Sequence, residues 1–279
     1  MPAMFLERRP CPALQPFVRT LWLTRSEATG PRREHLLPTG ETHLAFRLAG
    51  TPLRISDGGG RDRPLGTAVV GGIRSSFYVR DLAGPTHTVG VQLRPGGAGV
   101  LLGAPAGALA EQHVPLDALW GAAAGEAYER LLAIADAEAA LDALEALLLA
   151  RLRRPRGMHP AVAETLARIE APGTPPAVGA LVAASGCSHR RLLTLFRDAV
   201  GLSPKRFARV VRFGRALERI GGPDGRTMAE LALALGYSDQ PHFQRDFRAF
   251  AGLTPETYAR LAPASPRHVR VALDTSTST

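Results

Sequence analysis

Two stretches of the chain, "SGCSHRRLLTLFRDAVGLSP" from Ser185 to Pro204 and "LGYSDQPHFQRDFRAFAGLTP" from Leu235 to Pro255, repeat one pattern at a constant offset of 51 residues. Matching Ser188 to Asp239 also superposes Phe196 on Phe247, Arg197 on Arg248, Gly201 on Gly252, Leu202 on Leu253 and Pro204 on Pro255. A duplication of this kind means that one supersecondary unit has been built twice, and it constrains the fold of this region more than any composition does.

In the upstream copy, "PAVGALVAA" suits a helix, Gly186 supplies a turn conformation closed to other residues, and Ser188 is a good N-cap for a second helix. At about 100° per residue, Leu192, Leu195, Phe196 and Ala199 share one face, with Arg190, Thr194 and Arg197 roughly opposite. The downstream copy repeats this with "TMAELALAL", Gly236 and a helix capped by Asp239, whose Phe243, Phe247 and Phe250 form the buried stripe opposite Arg245. Pro241 falls in the first turn of that helix, where its missing N–H has no intrahelical partner to lose. Between the copies, "SPKRFARVVRFGRALERIGG" starts on Ser203 and Pro204 and stops at Gly221 and Gly222. Its apolar arc is Phe207, Val210, Val211, Leu217 and Ile220, with Lys205, Arg209, Arg212, Arg215 and Arg219 mostly on the other side. Two helix-turn-helix units on such a spacer could enter successive major grooves, about 34 Å apart. A single helix, turn and helix is also ordinary bundle architecture; the matched pair and the charge are what favour DNA.

The net charge of +9 on 279 residues is unevenly placed. From Pro155 onward 17 Lys and Arg face 10 Asp and Glu, whereas residues 1 to 154 hold 17 against 15. A basic C-terminal half attracts polyanions, nucleic acid first; a GC-rich genome would also raise arginine, and Lys205 is the only lysine. Cys11 and Cys187 are far apart and form no metal-like cluster, which fits a reducing, cytoplasmic compartment. No run of eighteen apolar residues occurs, and Glu7, Arg8 and Arg9 interrupt the N-terminus before a signal-like stretch develops, so neither membrane insertion nor export is expected.

From Leu14 to Pro95 the runs "FVRTLWL", "ETHLAFRL", "TAVVGG", "FYVRD" and "THTVGVQLRP" read as strands between Gly, Pro and Asp clusters. In the last run Val89, Val91 and Leu93 alternate with Thr88, Gly90, Gln92 and Arg94, the pattern of a half-buried strand. After Gly97 the texture turns helical. The expected fold class is an α+β N-terminal domain, a small β-barrel or sandwich plus helices over 1–154, followed by an all-α double helix-turn-helix domain over 155–262. The boundary falls in "RRPRGMHP", and the polar tail 263–279 is expected to be mobile and outside any core.

The segments "LVAASGCSHRRLLTLFRDAVGLSPKRF", "RFGRALERI" and "TMAELALALGYSDQPHFQRDFRAFAGLTPETY" resemble the C-terminal DNA-binding domain of AraC/XylS-type transcriptional regulators, over about Ala177 to Leu261. The resemblance implies seven helices, double-stranded DNA and RNA polymerase as partners, a cytoplasmic location, no cofactor and no enzymatic role. Carried across, the base-reading positions are Arg190, Leu193 and Thr194 in the first unit and Gln240, Pro241, His242 and Arg245 in the second. Arg190 and Arg245 suit guanine, Gln240 suits adenine, and Leu193 or Thr194 suits a thymine methyl. Leu193 and Pro241 depart from the commoner polar occupants. Ser188, Arg197 and Arg248 are phosphate-contact candidates, with plain solvation the alternative for the two arginines.

The cues "LPTGETHLAFRL", "GGIRSSFYVRDLAG" and "VGVQLRPGGAGVLLGAP" resemble an N-terminal domain of unknown function that precedes this DNA-binding domain. Such a front domain implies a small-molecule effector or dimerisation. Trp22, Phe46, Phe77, Tyr78 and Arg94 are candidates to line an apolar pocket with a charged anchor, or else are simply core. His35, His43 and His87 lack a metal-binding spacing, so no metal is expected. The stripe Leu141, Leu144, Leu148 and Leu152 serves either dimerisation or packing on its own domain. Two rival functions remain: a regulator whose front half binds a protein, and a DNA-repair enzyme sharing the helical domain. The second would need a zinc-bound cysteine cluster, and Cys11 has no partner for one.

Overall fold

The computed structural model describes residues 4–27, 30, 32–56, 62–82, 84–152, 157–220, 226–263 and 265–271. The proposed boundary residues Arg153 to Arg156 and the spacer stop at Gly221 and Gly222 lie outside them. The N-terminal strands are β1 (Met4–Arg8), β2 (Val18–Ser26), β3 (Arg32–Leu36), β4 (Thr42–Ala49), β5 (Leu53–Ser56), β6 (Asp62–Gly66), β7 (Ala68–Gly71), β8 (Tyr78–Leu82), β9 (Thr86–Leu93) and β10 (His113–Pro115). A last strand, β11 (His268–Val271), comes from the far end of the chain.

They form two antiparallel sheets, one ordered β1-β2-β9-β4-β7-β10 and the other β11-β3-β8-β5-β6; among the described residues the sheets do not close into a barrel. Of the two expected shapes, the open two-sheet form is the one present. Val69 of the first sheet packs with Leu36, Ile55, Leu65 and Tyr78 of the second, so the sheets face one another. The outer face of the first sheet is covered by α2 (Asp117–Trp120), α3 (Ala123–Leu132) and α4 (Ala137–Arg151), in one apolar core with α1 (Ala106–Leu109) and the π-helical turn Ala98–Leu102. Leu141, Leu144 and Leu148 are fully buried there, so this stripe packs on its own domain. Strand β9 is buried on both faces rather than one, because helices cover one side and the second sheet the other.

The C-terminal helices are α5 (Pro160–Glu170), α6 (Val178–Ser185), α7 (His189–Val200), α8 (Pro204–Arg219), α9 (Met228–Ala234), α10 (Gln240–Ala251) and α11 (Pro255–Leu261). Leu192, Phe196, Phe207, Phe213, Phe243, Phe247 and Phe250 lie at the centre of this half. Arg206 and Arg219 of α8 are exposed, but Arg209, Arg212 and Arg215 are engaged by neighbouring elements. Arg209 and Arg212 reach Asp246 on α10 at 2.6 and 3.7 Å. Arg212 also lies 4.1 Å over the Tyr237 ring, and Arg215 donates to the carbonyls of Ile169, Glu170, Ala171 and Gly173 beyond α5. A guanidinium's fork of donors suits these carboxylate and carbonyl partners, which is why the basic stripe holds helices together.

Part of the tail departs from its expectation, while residues 264 and 272–279 lie outside the described residues. Residues 268–271 pair antiparallel with β3, Val269 opposite His35, and Val269 is fully buried. Polar composition suggested mobility, but the open edge of β3 and a hydrophobic slot beside α11 supply backbone and side-chain partners that only the folded structure brings near.

Candidate nucleic-acid interface and cavity

The two repeated units are superposable in their local chemistry. Helices α7 and α10 each have 12 residues, Ser188 and Asp239 cap them by accepting from the backbone N–H of Arg191 and His242, and Gly201 and Gly252 end them in the left-handed conformation. Ser203 and Thr254 then cap α8 and α11, each with proline at the first helical position. The backbone hydrogen bond from His242, followed by the Ser238 hydroxyl, holds the Asp239 carboxyl below its ordinary range, so the cap is charged at neutral pH.

On α7, Arg190, Thr194 and Arg197 are exposed and Leu193 half-buried; the Thr194 hydroxyl donates back to the Arg190 carbonyl at 3.1 Å. On α10, Pro241, Arg245 and Arg248 are exposed, with Gln240 and His242 half-buried. His242 Nδ1 lies 3.1 Å from the Ser238 hydroxyl, and its ring meets Tyr237 edge-on at 5.2 Å. Each helix thus turns phenylalanines inward and cations outward.

The sheet half grips both helices from one loop. Ile73 packs against the bare Cα of Gly201, and Phe77 against that of Gly252. Phe77 stacks on His35 at 4.4 Å, and His35 Nδ1 lies 3.0 Å from the Ala251 carbonyl at the end of α10. Gly96 donates to the Ala199 carbonyl at 2.9 Å, near the end of α7.

A cavity of about 510 Å³ opens between the two sheets and extends to α8 and β11. Trp22 and Tyr78 line it. The other three pocket candidates do not: Phe46 is buried on the helix-covered face, Phe77 is the wedge at Gly252, and Arg94 is absent from the wall. Charged residues in the wall include Arg32, Glu34 and Arg80 from the second sheet, Arg74 from the loop after β7, Glu7, Glu41 and Glu218, and Arg267 and Arg270 from the tail. Burial pushes the Glu34 carboxyl up, but His268 and Arg80 outweigh it and hold it at about 2; Arg80 Nη2 lies 2.7 Å away. Burial drives His43 down to about 4, so it is neutral although it faces the cavity.

Sequence reading missed Arg32 and Glu34 because "RREHL" has too little apolar alternation to stand out as a strand. The signal for Arg47 was legible: a lone cation inside the apolar run "HLAFRLA" on β4, only 3% exposed. His268 and Arg270 carried no signal, since their wall position depends on the distant pairing of β11 with β3.

Residues 181–261 match a helix-turn-helix domain family, and residues 6–115 match a domain of unknown function, DUF6597. No curated protein matches the chain. Among solved structures, an AraC-type DNA-binding domain regulator from Chromobacterium violaceum is 27% identical over 38% of this chain and 95% of its own, with a TM-score of 0.35. The C-terminal domain of AraT, a response regulator from Geobacillus stearothermophilus, is 20% identical over 38% of this chain and 88% of its own, with a TM-score of 0.35. ToxT from Vibrio cholerae, solved with an unsaturated fatty acid, is 7% identical over 91% of this chain and 94% of its own, with a TM-score of 0.44. At TM-scores this low the structural likenesses carry no argument beyond the sequence match. The two capped helices with matching ends lie within the segment that matches the helix-turn-helix domain family, and the sheet strands from β2 to β10 lie within the segment that matches DUF6597.

Proposed function

We propose that the protein is a sequence-specific transcriptional regulator whose DNA reading is controlled by a small molecule held between its two sheets. The carrying observation is the pair of matched helices that bury phenylalanine and expose Arg190, Thr194 and Arg197 on α7 and Arg245 and Arg248 on α10. In this reading Arg190, Leu193 and Thr194 address one major-groove segment, and Gln240, Pro241, His242 and Arg245 the next. Ser188, Arg197 and Arg248 hold phosphates. The faces are chemically unequal, so one chain recognises an asymmetric site, working with RNA polymerase on neighbouring promoters.

Control follows from the shared walls. Leu217 and Glu218 of the spacer helix line the cavity together with sheet residues, so an occupant touches both halves at once. A ligand preferring one arrangement of the halves shifts the DNA-binding equilibrium by its differential affinity. Mapping the DNA bound by the full chain across the genome tests the reading. Enrichment of discrete sites near promoters is expected; binding no better than competitor DNA at physiological salt would refute it.

A further inference from the structure

The guanidinium of Arg47 is unusually placed. The residue is 3% exposed, its Nε is buried without a hydrogen-bond partner, and no carboxylate pairs with it among the described residues. Alternation along β4 puts it on the same side as His43 and Ala45, which line the cavity, with Arg47 itself set behind that wall. Across the gap, Arg32 and Arg80 project from β3 and β8 on the cavity face of the other sheet. Burial, then Arg80 and later Arg32, pull the Arg47 guanidinium down to about 10, while Glu34 opposes them.

The negative charge at this end is insufficient for three cations. Glu34 is engaged by Arg80 and His268. Among the described residues Arg32 donates to the Ser26 hydroxyl at 3.3 Å, and its own Nε is also buried without a partner there. The other acidic wall residues sit elsewhere: Glu41 pairs with Arg19, Glu218 lies on the spacer helix near Arg267, and Glu7 is exposed on the edge strand. Burying a cation without a counter-charge is costly, and folds retain one where a ligand or partner supplies the missing charge. Trp22, Leu36, Ile55, Val69, Tyr78 and Leu82 give the wall apolar surface beside polar residues such as Thr86, Thr88 and Gln92.

We infer that the cavity takes an anionic molecule with an apolar or aromatic body, its carboxylate or comparable acid seated on Arg32 and Arg80 with the charge of Arg47 behind them. This rests on the effector reading of the cavity and names the chemical class of that effector. A volume of about 510 Å³ accommodates a small organic acid rather than a polymer. Forked guanidinium donors match a planar carboxylate better than an ammonium would, which fits three arginines at this end.

The test uses the full-length protein and three probes with one body and different charge: 4-phenylbutyrate, 4-phenylbutanol and 4-phenylbutylamine. Calorimetry is expected to show the acid binding at least tenfold tighter than the alcohol, with the amine weakest. Arg47→Met should bring acid binding down to the alcohol's level and leave the alcohol unchanged. The same variant should melt higher than the parent without ligand, because an uncompensated buried cation is gone; Arg32→Gln provides a second variant should Arg47→Met fail to fold. Acid and alcohol binding equally would overturn the anionic class and leave the effector reading standing. Failure of all three probes to bind a chain that still binds DNA would count against both. An Arg47→Met protein that melts lower and keeps its acid preference would show Arg47 to be structural, overturning the assignment.

Discussion

Phe77 lies against the bare Cα of Gly252, where an added Cβ would stand 2.5 Å from the ring's Cζ. Gly252 has a φ of 70°, so any side chain there meets both a strained backbone and an occupied space. Gly252→Ala is expected to destabilise the protein by about 1–3 kcal/mol. Replacing Phe77 by alanine in the same chain should recover the steric part and leave the backbone part. A double-mutant cycle read by urea denaturation checks this; strict additivity of the two changes would show that the wedge is not in contact.

Arg245 and Arg248 sit three residues apart on α10 and are expected to behave differently. Arg245→Ala should cost about 1–3 kcal/mol at one base position and relax selection there. Arg248→Ala should weaken binding to all sequences alike and lower the salt slope by about 1. Affinities across a base-substitution series at several salt concentrations separate the two, and a uniform loss for Arg245→Ala would contradict base reading.

Asp246 is buried and accepts from Arg209 at 2.6 Å, with Arg212 nearby. The hydrogen bond to Asp246 raises the Arg209 guanidinium despite partial burial. Asp246→Ala leaves two guanidinium groups beside an apolar helix junction. The expected loss is about 2 kcal/mol, less than a fully buried pair would give because Arg209 is partly exposed. Denaturant midpoints of the full chain decide it, and an unchanged midpoint would reduce the pair to a solvated contact.

Acid should loosen the sheet half in two steps. His43 is held at about 4 in the fold, below its ordinary 6.5, so the unfolded chain binds more protons between those values and stability falls as pH drops through that window. Glu34, held at about 2 against 4.5, contributes stability above pH 4.5 that is lost as pH falls towards 2. Both changes run in the same direction. Melting temperatures of His43→Gln and Glu34→Gln against pH should lose the upper and lower step respectively; a His43→Gln profile parallel to the parent would refute the first.

The paired helices were readable from sequence because their determinants are local. Ser188, Asp239, Ser203 and Thr254 cap the helices they directly precede, and the Phe243, Phe247, Phe250 stripe lies within one helix. The cavity was only half legible. Trp22 and Tyr78 belong to strands with clear patterning, whereas Arg32, Glu34 and His268 reach the wall through pairings among β3, β8 and β11 that no local window contains. Phe46 and Phe77 illustrate the remaining ambiguity. Both are aromatic residues in or beside apolar runs, and only the sheet's two faces and the neighbouring Gly252 decide which surface each meets.

Because β11 returns to β3 after the last helix, the DNA-reading half is an insertion within the second sheet rather than an appendix to it. Severing the chain after residue 154 therefore does not release an intact sheet half. It leaves β3 as a bare outer strand with unsatisfied amides, an invitation to intermolecular strand addition and aggregation. The natural seam for rearranging this protein lies instead in bringing the two ends of the sheet half together, with residues 265–271 spliced beside β3 by circular permutation.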